Sequence, residues 1–106
     1  MDQREFSLRV LEAYRATPGT CGLIRRPDRI LAAQLHERGV PLTAVENALA
    51  LAAVRRMIRP NGAAPLAPVR SLAYFLPVID EVLASDVDPR YYQHVRSKLQ
   101  RLTSSR

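Results

Sequence analysis

Seven consecutive apolar residues, Ala48-Leu49-Ala50-Leu51-Ala52-Ala53-Val54, constrain this chain more than any other stretch. The run is far below the roughly 20 residues that a membrane-spanning helix needs, so it fits a buried helix of a small domain. Leu42, Val45, Leu49, Ala52 and Ala53 form one helical stripe, and Ala48, Leu51, Val54 and Met57 extend it most of the way round. A helix apolar on nearly every side belongs at the centre of a core. Its alanines let neighbouring helices approach closely. Thr43-Ala44-Val45-Glu46 reads as a capping box at its start, each side chain serving the other residue's backbone N–H. The helix is expected to run to about Ile58.

Four more helices arrange themselves around this one. The first spans about Arg4 to Ala16, with Phe6, Val10, Ala13 and Tyr14 at helical spacing and Leu8 and Leu11 widening the stripe. Pro18 drives Thr17 out of the α region and ends it. The second begins near Pro27, with Asp28 in the first turn where a negative charge suits the helix dipole. Its face is read as Ile30, Leu31, Gln34 and Leu35; Gly39 caps its end and Pro41 bars continuation. A proline-rich loop, residues 60–68, leads to a fourth helix capped by Ser71 and running to about Ala84. Pro77 lies inside it, so a kink or break is expected near Phe75. Leu72, Phe75, Leu76, Ile79 and Leu83 are its expected core face. Asp88-Pro89 opens the fifth helix, followed by Tyr92, Val95, Leu99 and Leu102 at steps of three and four. The tail from about Thr103 to Arg106 is expected to fray.

The fold expectation is therefore all-α: a compact bundle of about five helices forming a single domain over residues 1–106. At 106 residues, 47% of them hydrophobic, a core forms without metal or disulfide support. The lone Cys21 excludes an internal disulfide and a cysteine zinc site, and reads as a small half-buried residue. The polar start, Met1-Asp2-Gln3-Arg4-Glu5, carries no secretory signal, and a cytoplasmic protein with no membrane contact is expected.

Charge points to a partner class. Of sixteen Lys and Arg residues only Lys98 is lysine, and the formal net charge is +6. Codon bias in a GC-rich genome produces the same Arg excess. Arginine nevertheless offers a planar fork that matches phosphate, which lysine does not. A small arginine-rich domain reads first as one that meets a polyanion. The arginines fall into groups. Arg25, Arg26 and Arg29 stand at the start of the second helix, where three cations oppose the dipole and an anionic partner would favour them. Arg55, Arg56 and Arg59 end the third helix, where the dipole alone accounts for cations. Arg70 precedes the fourth. Arg90, Arg96, Lys98 and Arg101 ride on the fifth, with Arg106 beyond them. Tyr91 and Tyr92 lie among these; Tyr92 is expected in the core and Tyr91 exposed, where an aromatic ring can stack on a base.

No Gly-rich phosphate loop, serine elbow or metal-spaced cluster occurs in the sequence, so no catalytic residue, metal or cofactor is assigned. His36 and His94 read as surface residues. Gly39, Val40 and Val45 match the spacing of a helix-turn-helix, but Leu35 stands where that motif wants a small residue, and the following helix is too apolar past Ala48 to lie in a groove.

Three stretches carry a family likeness: Leu11 to Tyr14; Val45-Glu46-Asn47-Ala48-Leu49-Ala50-Leu51-Ala52; and Ser71-Leu72-Ala73-Tyr74-Phe75-Leu76-Pro77-Val78-Ile79. Together, over about Leu8 to Leu83, the chain resembles the helical domains of DnaD-like replication-initiation proteins. That resemblance implies DNA binding, often to single-stranded or remodelled duplex, and partnership with replication proteins. The chain is also similar to short basic helical proteins of bacterial mobile elements. The functional expectation is a non-catalytic nucleic-acid-binding module, for DNA or RNA, that uses its arginine clusters. The alternative is an assembly subunit that binds a larger effector or itself, motivated by an apolar surplus at Leu66, Val69, Leu72, Leu76 and Val82.

Overall fold

The computed structural model describes residues 1–104. Its helices are α1 (Gln3–Ala16), α2 (Arg26–Glu37), α3 (Leu42–Met57), α4 (Leu76–Ala84, entered through a 3-10 turn at Leu72–Phe75) and α5 (Pro89–Ser104). Every described element is helical apart from one isolated parallel bridge, Thr20 with Val69. This is the all-α bundle expected from the pattern.

α3 is the central helix: nine consecutive or near-consecutive positions from Ala44 to Val54 are buried. α1, α4 and α5 all pack on it, whereas α2 packs chiefly on α1 and the 3-10 turn. Val10, Tyr14, Leu35, Val45, Leu72, Phe75 and Ile79 are all essentially inaccessible, and each buried side chain of this size contributes about 1.5–3 kcal/mol. Tyr14 meets the edge of Phe75 with ring centroids 6.0 Å apart. Among the described residues no helix is long and apolar enough to cross a membrane.

Pro77 breaks the fourth segment as expected. The chain runs as a 3-10 turn to Phe75 and becomes α-helical only from Leu76, so Pro77 sits in the first turn, where its missing N–H leaves no gap. Asp88 opens α5 by accepting from the backbone N–H of Arg90 at 2.9 Å.

Other expectations are corrected. The Thr43–Glu46 capping box does not form. α3 starts two residues earlier, with Pro41 as N-cap and its carbonyl accepting from Ala44 and Val45. Thr43 is already inside the helix and faces solvent. Ser71 makes no side-chain cap either; its backbone carbonyl accepts from Tyr74 N at 3.2 Å, and Leu72 N donates to Asp28 Oδ1 at 2.9 Å. Leu8, Ile30 and Leu83 are exposed, and Gln34 is exposed too. On α2 the inward line is Asp28, Ala32 and Leu35, with Leu31 half-buried. A buried polar residue sets that phase, so apolar spacing misplaces it. On α4, Val82 takes the inward place given to Leu83. Of the supposed apolar surplus, Val69, Leu72 and Val82 are buried and Leu76 half-buried, leaving only Leu66 outside. The tail does not fray at Thr103: α5 continues to Ser104, and the Thr103 hydroxyl donates to Leu99 and Gln100 carbonyls at 3.0 Å. Ser105 and Arg106 lie outside the described residues.

Tyr14 supplies a first test. Its hydroxyl is buried with no hydrogen-bond partner among the described residues. Burial, and then the nearby Asp28 and Cys21, push its pKa from 10.0 to about 12. The unfolded chain loses this proton near its ordinary value while the folded chain holds it, so wild-type stability falls as pH rises from 10 towards 12. Tyr14→Phe is expected to be neutral to stabilising by about 1 kcal/mol at pH 7, since it removes an unpaired buried polar group. Its advantage grows above pH 10, as read by urea denaturation at the two pH values.

Candidate nucleic-acid interface

The site is built where two loops are stitched together. After α1, Thr17 turns the chain, its hydroxyl donating to the Ala13 carbonyl at 2.6 Å. The following loop then pairs with the segment before the 3-10 turn: Val69 N donates to the Gly19 carbonyl and Cys21 N to the Val69 carbonyl, both at 2.8 Å. Gly19 has φ +89°, a left-handed conformation that a residue with a Cβ rarely adopts. Below this pairing lies Asp28, 2% exposed. One of its oxygens accepts from Leu72 N, and the other from Arg25 N at 2.9 Å. Asp28 therefore caps α2 and fastens it to residues 69–72.

This junction collects arginines. Arg25, Arg26 and Arg29 are exposed on the first turn of α2, and none of their guanidinium groups has a hydrogen bond or ion pair among the described residues. Arg70 is exposed between the bridged Val69 and the anchored Leu72, and its side chain is equally unpartnered there. Four free planar forks thus flank one fastened junction. The backbone carbonyl of Arg15, on the last turn of α1, accepts from the Thr20 hydroxyl at 3.4 Å, which ties the end of α1 to the same loop. The dipole conflict inferred at the start of α2 is partly relieved by Asp28, whose carboxyl occupies the place an external anion would take at the helix end.

The second arginine group is committed to the fold. Arg55 makes a two-pronged pair with Glu81, at 2.7 and 2.6 Å, joining α3 to α4. This hydrogen bonding raises the Arg55 pKa and holds Glu81 below the usual carboxylate value. Arg56 stacks over the Tyr74 ring, 5.5 Å from its centroid, and donates to the Tyr74 hydroxyl and the Ala67 carbonyl. Arg59 donates to the Ala64 carbonyl. Residues 60–68 are rich in proline and poor in donors, so Arg56 and Arg59 supply donors to that loop.

The α5 residues divide again. Arg96 donates to Asn47 Oδ1 at 2.7 Å and lies 3.9 Å from Glu46, pinning α5 to α3. Arg90 lies 3.5 Å from Asp88. Lys98 and Arg101 are exposed. Tyr91 is exposed and Tyr92 buried, as their spacing implied, with ring centroids 5.4 Å apart. Tyr91 and Lys98 face a groove against α3 and are not grouped with Arg25.

His36 is half-buried rather than on the open surface, because its ring packs on Phe6 with centroids 5.2 Å apart. His94 is exposed and Cys21 half-buried. Among the described residues no three His, Cys, Asp or Glu side chains come together as a metal site. Compared with protein-family models, curated proteins and solved structures, the chain matches none.

Proposed function

We propose that the chain is a non-catalytic nucleic-acid-binding module, acting in the cytoplasm, whose phosphate-holding surface is the junction of Arg25, Arg26, Arg29 and Arg70. The observation that carries this reading is the contrast between arginine groups. Arg55, Arg56, Arg59 and Arg96 have partners within the fold, whereas the junction forks have none among the described residues. Exposed forks on a backbone fastened by Asp28 can meet phosphate oxygens in pairs, each fork presenting parallel N–H donors. The formal net charge of +6 adds long-range attraction. Binding of this kind is mainly to backbone and carries little sequence preference.

The test is titration of a labelled oligonucleotide, single-stranded and duplex, across a salt series. Four phosphate contacts give a log–log slope of about −3.6 on duplex and about −2.8 on a single strand. No binding at low salt overturns the proposal. A slope between zero and about −1 overturns the assignment of four contacts. Relative affinity for the two strands then separates a duplex binder from a module for opened DNA.

A further inference from the structure

α3 and α5 enclose an open groove of about 430 Å³ on the bundle surface. From α3 it is lined by Leu51, Val54, Arg55 and Ile58, and from α5 by Tyr91, His94, Val95 and Lys98. Each set follows the spacing i, i+3, i+4, i+7; the α5 wall is one helical stripe about 10 Å long, and the α3 wall ends on Ile58, that helix's C-cap residue. The floor, Leu51, Val54 and Val95, is buried. The rim holds two of the most exposed large apolar side chains, Ile58 at 52% and Tyr91 at 46%. Two packed helices with an apolar trough between them form the seat for a third helix.

Charge selects the occupant. Lys98 and His94 stand on the α5 wall, and Arg55 on the α3 wall already holds Glu81. Among the described residues no carboxylate lines the trough. A second copy of this chain would bring Lys98 against Lys98 and two charges of +6 together. We propose that the α3–α5 groove docks an acidic amphipathic helix of a partner protein, its apolar stripe against Ile58, Tyr91 and the floor and its carboxylates against Lys98 and His94. The surface is separate from the arginine junction, which lies on α2 and the 3-10 turn.

The probe is a pair of fluorescein-labelled peptides of about 14 residues, a length marginal for an isolated helix and therefore held helical by a staple. Both carry leucines at i, i+3, i+4 and i+7; one has a glutamate polar face and the other a lysine face. Fluorescence polarisation with the full chain should give micromolar binding of the acidic peptide and at least tenfold weaker binding of the basic one. Ile58→Ser with Tyr91→Ser should weaken the acidic peptide at least tenfold, and Lys98→Glu alone several-fold. Arg26→Glu, at the other surface, should leave it within twofold. Absence of acidic-peptide binding, or equal binding of both peptides, overturns the proposal. So does a loss with Arg26→Glu as large as that with Lys98→Glu, which marks diffuse charge attraction. Sedimentation that finds a dimer dissolved by Tyr91→Ser gives the groove to a second copy and also overturns it.

Discussion

Asp28→Ala is expected to lower the folding free energy by about 3 kcal/mol in urea denaturation at neutral pH. The effect is large because one small side chain serves two distant backbone groups. Its oxygens accept from Arg25 N and Leu72 N, residues that no local element holds in place together. Asp28 is 2% exposed and Leu72 fully buried, so the Leu72 N–H that it abandons would have little access to replacement water, while the Arg25 N–H is half-buried. Domains of this kind are stable by about 5–15 kcal/mol, and a loss of this size removes a sizeable share. Asp28→Asn keeps one carbonyl acceptor but turns an amide N–H₂ towards a donor, so it should recover less than half of the loss. Nucleic-acid affinity should fall with either change, because the same bonds hold Arg25 and Arg70 on one junction. A loss below about 1 kcal/mol for Asp28→Ala would mean that the junction is held by packing of Leu72 and Val69 alone.

Arg25→Glu, Arg26→Glu and Arg29→Glu together are expected to reduce nucleic-acid affinity by about two to three orders of magnitude at low salt. All three side chains are exposed and unpartnered among the described residues, so the far-ultraviolet circular dichroism should not change. Three reversals remove three positive charges and add three negative ones, which takes the formal net charge from +6 to zero, so a matched control is needed. Arg4→Glu, Arg9→Glu and Arg38→Glu make the same net change elsewhere. Arg9 and Arg38 hold only long exposed pairs with Glu5 at 3.8 Å and Asp80 at 3.6 Å, which contribute little to stability. The control should lose about tenfold or less and keep most of its salt slope, whereas the junction variant should lose most of both. Equal losses in the two variants would make the attraction a property of total charge and remove the junction's special role.

Much of the architecture can be read along the chain, because its determinants are local. The apolar run at Ala48 to Val54 marks α3 as central, and Pro77 marks the break at Phe75. Pro18, Gly39 and Pro41 delimit helices within a residue or two. What escapes local reading is set by long-range bonds. The inward phase of α2 depends on Asp28, whose partner Leu72 is 44 residues away. A rule that counts apolar residues gives Ile30 the inward place instead. The Thr43 capping box fails because Pro41 starts the helix first. Arg55 looks like a cation placed for the helix dipole, and its real engagement is with Glu81, 26 residues on. The three arginines of α2 could be singled out as unusual from dipole sense alone. Their grouping with Arg70 needed the pairing of residues 19–21 with Val69. Ile58 and Tyr91 could not be joined in one groove without knowing that α5 lies on α3.

The way α5 is mounted has a consequence for how the molecule comes apart. It packs chiefly on α3, through Tyr92, Val95 and the half-buried Leu99, with Arg96 as its polar tie. A helix attached along a single line can lift off as a unit while α1, α2 and α4 remain closed around the rest of the core. The protein therefore has a built-in seam. The first partial opening on warming or under tension runs along it, and what it bares is an apolar flank of the central helix, with Leu51 and Val54 on it. Such a transient species is adhesive, so losses on storage or heating would begin at this seam before the arginine junction is disturbed.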